Sequence, residues 1–266
     1  AIFLEFTNKV ESVSLDEAYL DVSNSKHFSG SASLLAKHIR EKIYNEVGVT
    51  ASAGVAPNKF LAKVASDINK PNGQYVIAPD SIVNFISGLH LRRIPGVGKV
   101  LEKKLNQLGL TKCVDVQNYC VETLVKKIGS FGYTLHQRSY GKDNREVKER
   151  SIRKSVSVER TFSQDLDNID NCFEKIYLLI ESFQERLYKL QDSYFAKAYF
   201  VKIKFNDFSQ TTLERSNINT LDVDIIKEMY MEAWKRGSKP ARLLGLGARL
   251  IPKEECQNSI QLDLLR

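Results

Sequence analysis

This 266-residue chain has little chemistry suited to cross-linking or metal clusters. Its four cysteines, Cys113, Cys120, Cys172 and Cys256, stand 7, 52 and 84 residues apart, and no C-x-x-C pair occurs. The four histidines, His27, His38, His90 and His136, lie near none of them in a ligand spacing. That argues against a zinc site and a disulfide framework and for reduced thiols in a cytoplasmic protein. No apolar run approaches the ~18 residues of a membrane-spanning helix, and no basic-then-apolar leader opens the chain, so no membrane partner is expected. The 14 glycines and 6 prolines are scattered rather than periodic, which excludes collagen-like and low-complexity architectures. No repeat of solenoid period is present. What remains is ordinary globular material, 42% hydrophobic and 27% charged, enough to exclude global disorder. The length suits two or three modest domains.

The charge is unevenly placed. Residues 1–78 are neutral, and residues 149–255 carry a net +1, yet residues 79–148 hold 12 basic against 6 acidic groups. Most of the chain's +7 therefore sits in one middle segment. A concentrated positive block suits a polyanion such as nucleic acid, although a solvated surface with a chance excess would read the same.

The pattern of the chain predicts an α+β protein of several domains. Ile2, Phe3, Phe6 and Val10 recur at helical spacing with no capping residue before them, so an opening helix and an upstream piece are expected. Residues 10–14 and 18–22 read as short strands joined at Leu15-Asp16-Glu17. Residues 29–45 read as an amphipathic helix with Leu34, Leu35, His38, Ile39 and Ile43 on one stripe. A buried strand at 50–55, a helix at 59–69 stopped by Pro71-Asn72-Gly73, and a strand at 75–77 follow. Strands alternating with helices argue for a mixed α/β layer over 1–78. Residues 79–141 read as short helices separated by glycine-bearing turns, and 142–152 as a charged linker. Strands at 154–160, 196–205 and 242–251, with helices at 169–190 and 223–236, predict a β-α-β-β-α-β domain over 153–255. The longer helix should bury Phe173, Ile176, Tyr177, Ile180, Phe183 and Leu187. Residues 256–266 form a polar tail.

Asp16 and Glu17 are the first candidates for chemistry. Adjacent carboxylates on a strand point to opposite faces, but at a hairpin tip both can reach one hard cation such as Mg²⁺. Alone, such a pair is more often a solvated turn. In the middle segment, Ile94-Pro95-Gly96-Val97-Gly98-Lys99 precedes a basic stretch with Lys103 and Lys104, the pattern of a helix-hairpin-helix. Gly96 and Gly98 would let backbone approach a phosphate, helix-start N–H groups of Val97, Gly98 and Lys99 would bind it, and Lys99, Lys103 and Lys104 would add unspecific attraction. Gly129, Ser130 and Gly132 form a weaker second hairpin. A simple helical corner is the plain alternative. Contacts of this kind fix a protein on a duplex without reading sequence.

Three stretches together resemble the Y-family DNA polymerases, the translesion enzymes, in their bacterial DinB type. They are Ser14-Leu15-Asp16-Glu17-Ala18-Tyr19-Leu20-Asp21, residues 51–63 (ASAGVAPNKFLAK) and residues 66–74 (SDINKPNGQ). The resemblance covers essentially the whole chain. It implies a template-directed, Mg²⁺-dependent nucleotidyl transferase, with the C-terminal part of a palm over 1–78, a helix-hairpin-helix thumb over 79–141 and a little finger over 153–255. Asp16 and Glu17 would be two of three carboxylates holding two Mg²⁺ ions. Lys70 would contact the triphosphate of a deoxynucleotide; the plain alternative is a lysine serving helix-end carbonyls. In the family, a D-x-D strand and a fingers domain precede the Ser14–Asp21 motif, so this chain reads as a fragment whose metal site is incomplete. Arg153, Lys154, Ser155, Lys202, Lys204 and Arg242 would place the little finger on primer-template DNA. Gln261, Leu262, Asp263, Leu264 and Leu265 resemble the peptide that docks on the bacterial sliding clamp, with Leu265 in place of the commoner Phe. A monomer is expected. Two rival readings are a non-catalytic DNA-binding module tethered to the clamp, and a helix-hairpin-helix nuclease, for which no second acidic cluster speaks.

Overall fold

A computed structural model describes residues 1–148, 152–216, 218 and 222–254. The chain divides into two compact units, Ala1–Arg150 and Ser151–Arg266. No helix among the described residues is long and apolar enough to cross a membrane.

The first unit is assembled from short elements. Strands β1 (Val10–Ser12) and β2 (Ala18–Leu20) form an antiparallel hairpin. The helix expected to run through Val10 is only a 3-10 turn at Ile2–Glu5. Thr7 Oγ1 donates to the Asp21 carbonyl at 2.7 Å, and the Asp21 N–H donates to the Lys9 carbonyl, which pulls the chain into the hairpin instead. Helix α1 (Ala32–Val47) starts where Ser31 caps the Leu34 N–H. It buries Leu35 and Ile39, but Leu34, expected on the same stripe, stays 53% exposed. The short strands beside it cover only a narrow face. Strands β3 (Ala53–Val55) and β4 (Gln74–Val76) pair in parallel, joined through α2 (Lys59–Ser66), which Asn58 caps at the Leu61 N–H.

Helices α3 (Ile82–Ser87), α4 (Lys99–Gln107), α5 (Cys113–Gln117), α6 (Val121–Ile128) and α7 (Phe131–Ser139) follow. Phe60, Leu61, Val64 and Ala65 of α2 belong to one core with Ile77, Ile86, Leu91, Leu105, Leu124 and Leu135. The boundary expected at residue 78 is therefore not a gap in packing. Three-residue strands cannot enclose a core, so α2 borrows the helical segment to bury side chains worth roughly 1.5–3 kcal/mol each. Burial in this core pushes the Cys113 thiol up to about 12, consistent with an inert, reduced cysteine.

The second unit runs β5 (Ser155–Leu166), α8 (Ile169–Tyr188), β6 (Tyr194–Phe205), β7 (Gln210–Ser216), α9 (Val223–Lys235) and β8 (Ala241–Pro252). The antiparallel sheet has the order β5-β8-β6-β7. Both helices pack on one face, where Val201, Ile203, Leu244, Leu246 and Ala248 meet Ile176, Phe183, Met229 and Tyr230 in a single core. The buried stripe of α8 is Cys172, Ile176, Leu179 and Phe183. Tyr177, expected inside, is half exposed beneath the Lys227 ammonium. The other sheet face has no helix on it among the described residues.

Candidate functional site

The tip of the β1–β2 hairpin carries Asp16 and Glu17. The Val13 N–H donates to the Glu17 carbonyl at 2.8 Å and closes the turn. The Ser14 hydroxyl donates to Asp16 Oδ1 at 2.5 Å. That bond, helped by the fields of Lys70 and Lys63, holds the Asp16 carboxyl below its ordinary range, so it is ionised at neutral pH. Glu17 accepts from Lys63 Nζ at 2.5 Å, Lys63 lies 4.0 Å from Asp67, and Asp67 holds Lys70 at 2.6 Å. Glu17, Lys63, Asp67 and Lys70 thus form one row of alternating charge. The sequence reading named its two ends and missed Lys63 and Asp67, although their four-residue spacing along a helix was there to be read.

Behind the tip, the hairpin is tied down by a buried charge. Lys59, one turn before Lys63, is 7% exposed. Its ammonium donates at 2.6 Å to both oxygens of Glu11 and at 3.1 Å to the Glu146 carbonyl, and it lies 5.1 Å from the Tyr19 ring. Glu11 also accepts the Lys148 N–H at 2.8 Å, and Asp143 accepts the Phe60 N–H at 3.0 Å while pairing with Arg145. Residues 143–148, expected to belong to a linker, are therefore fastened to the hairpin and to the start of α2. A charged segment reads as solvated in sequence, but here its charges and backbone groups meet partners on β1 and α2.

The glycine-bearing turns split into open and packed positions. Gly98 is the N-cap of α4, makes no side-chain cap and would leave an added Cβ in open space. Lys99, Lys103 and Lys104 are exposed, with no carboxylate partner among the described residues. The groove beside them, about 360 Å³, is lined by Gly98, Lys99, Val100, Leu101, Lys104 and Ile128. Two expected phosphate contacts, Val97 and Gly132, need correcting. Val97 is buried and its N–H is spent on the Ile94 carbonyl. Gly96 stays exposed; its φ is +98° and a Cβ there would lie 2.8 Å from the Phe131 ring, so the turn requires glycine at this position. Gly132 presses on α6, with a Cβ position 2.9 Å from the Val125 nitrogen. The element before the first turn is a 3-10 turn, Leu91–Arg93, rather than a full helix. Arg138 of α7, 8% exposed, donates to the Pro95 carbonyl at 2.6 Å and stacks near Phe60. Helix α7 thereby holds the first turn; in the second, Gly129 and Ser130 remain exposed.

In the second unit, Arg153 and Lys154 are exposed ahead of β5, and Ser155 is half-buried within it. Lys202 and Lys204 sit on the helix-free face of β6, since the alternate residues Val201, Ile203 and Phe205 are buried. Lys204 and Arg242 converge on the exposed Phe208 ring, at 4.9 and 5.2 Å. Lys202 is not a bare cation, because Glu159 holds it at 3.0 Å. Gln261, Leu262, Asp263, Leu264 and Leu265 lie outside the described residues, as does Cys256.

Family models match along most of the chain. The impB/mucB/samB family matches residues 1–67, its C-terminal domain matches 153–264, and a thumb-domain model described for DNA polymerase-iota matches 92–143. DNA polymerase IV of Ectopseudomonas mendocina is 47% identical over 98% of this chain and 74% of that relative. A solved Y-family polymerase chimera of Dbh and Dpo4 superposes with a TM-score of 0.81 at 26% identity, over 93% of this chain and 72% of its own. A Dbh ternary complex matches with a TM-score of 0.58 at 26% identity, over 94% and 75%. All three are polymerases, so the reading as a non-catalytic tether is not favoured. Nearly half the sequence is shared with a polymerase across nearly the full chain, and the carboxylate hairpin falls inside the matched region: the chain belongs to the DinB-type Y-family DNA polymerases, DNA-directed enzymes of translesion synthesis.

Proposed function

We propose that the hairpin tip is the catalytic end of this polymerase, with Asp16 and Glu17 as metal-holding carboxylates and Lys70 as the contact to the triphosphate of an incoming deoxynucleotide. The observation that carries it is the row running from Glu17 through Lys63 and Asp67 to Lys70, whose two lysines also act on the Asp16 carboxyl through their fields. Y-family polymerases are metal-dependent, and the donor set fits Mg²⁺. Both groups are hard carboxylates at an exposed tip, and Asp16 is held ionised. Among the described residues no third His, Cys, Asp or Glu joins them, so they supply part of a shell. When bound, two such ions supply Lewis-acid activation of the primer 3′-oxygen and charge neutralisation at the leaving pyrophosphate. The chain's own residues keep the tip in place: Lys59 locks its base through Glu11, and Lys63 positions Glu17.

The exposed surface at Gly98, Lys99, Lys103 and Lys104 then holds duplex phosphates as the thumb, with Gly129 and Ser130 beside it. Residues 153–255 serve as the little finger and present Arg153, Lys154, Lys202, Lys204 and Arg242 to primer-template DNA. The tail at 261–265 docks on the sliding clamp, and the enzyme acts as a monomer in the cytoplasm. Asp16→Ala in the full-length protein should lower primer extension by at least about a hundredfold, since a metal site supplies several kcal/mol, while duplex affinity measured by fluorescence anisotropy stays unchanged. Retained extension rejects the assignment of Asp16.

A further inference from the structure

The helix-free face of the second unit's sheet has an unusual centre. Its middle strand β8 places Gly245 and Gly247 there, each directly opposite one residue of β5 and one of β6. Gly245 pairs with Glu159 and Lys202; Gly247 pairs with Ser157 and Phe200. Adjacent strands lie about 4.7–4.9 Å apart, so Glu159 and Lys202 stand two strand spacings from each other. They meet only because the glycine between them has no side chain. A Cβ on Gly245 would lie 3.0 Å from Glu159 Cγ and 3.4 Å from Lys202 Cβ. Over it, Lys202 Nζ reaches both Glu159 oxygens, at 3.0 and 3.2 Å. In the next row the Phe200 ring folds over Gly247, the Arg249 guanidinium lies 5.1 Å from that ring, and Arg249 Nε donates to Glu214 at 2.9 Å. The two central cations of the face are thus each paired with a carboxylate. At the Phe208 end, Lys204 and Arg242 have no carboxylate partner among the described residues.

We propose that Glu159 is a built-in competitor for the DNA phosphate that Lys202 would otherwise hold, and that it weakens the grip of this face on nucleic acid. The inference rests on the reading of the face as a DNA contact. A phosphate that takes Lys202 must displace Glu159 and leaves that carboxylate uncompensated beside a like charge. Exchanging one anion for another also releases less counterion than binding to a bare lysine, so the contact adds little to the salt dependence. Affinity differences within one interface fall mainly in the dissociation rate, so Glu159 shortens residence on DNA. The carboxylate thereby sets how tightly a polymerase that must step along its template holds on.

The test is fluorescence anisotropy of a labelled primer-template duplex titrated with the full chain between about 50 and 200 mM salt, with stopped-flow dissociation. Glu159→Gln keeps the shape and removes the charge. It should bind about two- to fivefold more tightly, in line with the strength of an exposed ion pair, dissociate correspondingly more slowly, and steepen the salt slope by about 0.9. Glu181→Gln, on the exposed side of α8, makes the same change in net charge away from this face and should do much less. In a Lys202→Met background, Glu159→Gln should give no further gain. The proposal is overturned if Glu159→Gln binds no more tightly than Glu181→Gln, or if its gain survives the loss of Lys202. If instead Lys202→Met and Lys204→Met together leave duplex binding unchanged, the face is not a DNA contact, and the underlying reading fails.

Discussion

Lys103 and Lys104 stand on a short helix of the first unit with no acidic partner among the described residues, while Lys202 in the second unit is chelated by Glu159 across a glycine. The two units also use charge differently inside. The first is made of three-residue strands and short helices, and it ties its loops with buried or half-buried polar groups: Lys59 to Glu11 and Glu146, Arg138 to Pro95, Asp143 to Phe60. The second has strands of up to 12 residues and a continuous apolar core. Its ion pairs lie on the surface, and the buried Tyr230 hydroxyl reaches the Gly245 carbonyl at 2.7 Å. Short elements cannot bury enough apolar area to fix themselves, so polar ties do it. A long-stranded sheet needs none and can spend its charges on its outer face.

Three measurements would break or sharpen this contrast. The largest effect belongs to the buried tie. Lys59→Met leaves Glu11 without its cation and should cost the first unit about 3 kcal/mol in denaturant unfolding. Arg215→Met in the second unit, which removes surface pairs to Glu228 and Glu232, should cost no more than about 1 kcal/mol. Equal costs would erase the distinction between the units.

Glycine substitutions come next. Gly247→Ala would place a Cβ 2.3 Å from the Phe200 ring and should destabilise by about 1–3 kcal/mol, with the loss relieved by Phe200→Leu. Gly98→Ala meets nothing within 4 Å. It should leave the unfolding transition unchanged and weaken duplex binding by keeping backbone away from the phosphate.

The smallest effect is in salt dependence. Replacing Lys103 and Lys104 together with Ala should reduce the slope of log K against log salt by nearly two, whereas Lys202→Ala should reduce it by clearly less than one. A full unit lost at Lys202 would mean that Glu159 does not hold it in solution.

Much of the layout was legible because it follows from local rules. The carboxylate tip sits between two strands whose alternation is readable, Ser31, Asn58, Asn168 and Asp222 cap helices as their type predicts, and periodicity locates three of the second unit's four strands and both its helices, while β7, a mostly exposed edge strand, has no apolar run to mark it. The chain even shows its polymerase kinship in contiguous motifs, since metal and triphosphate chemistry demand particular residues in a particular order. What no local rule contains is pairing at a distance. Lys59 meets Glu11 from 48 residues away and Lys202 meets Glu159 from 43, and in sequence each is only another charge. Gly132 looks like a phosphate-binding glycine until the backbone of α6 arrives beside it. Residue type and spacing determined which groups could do the chemistry. Tertiary packing decided which of them are bare and which already hold a partner, because charge compensation and steric fit depend on ångström distances that only the folded chain creates.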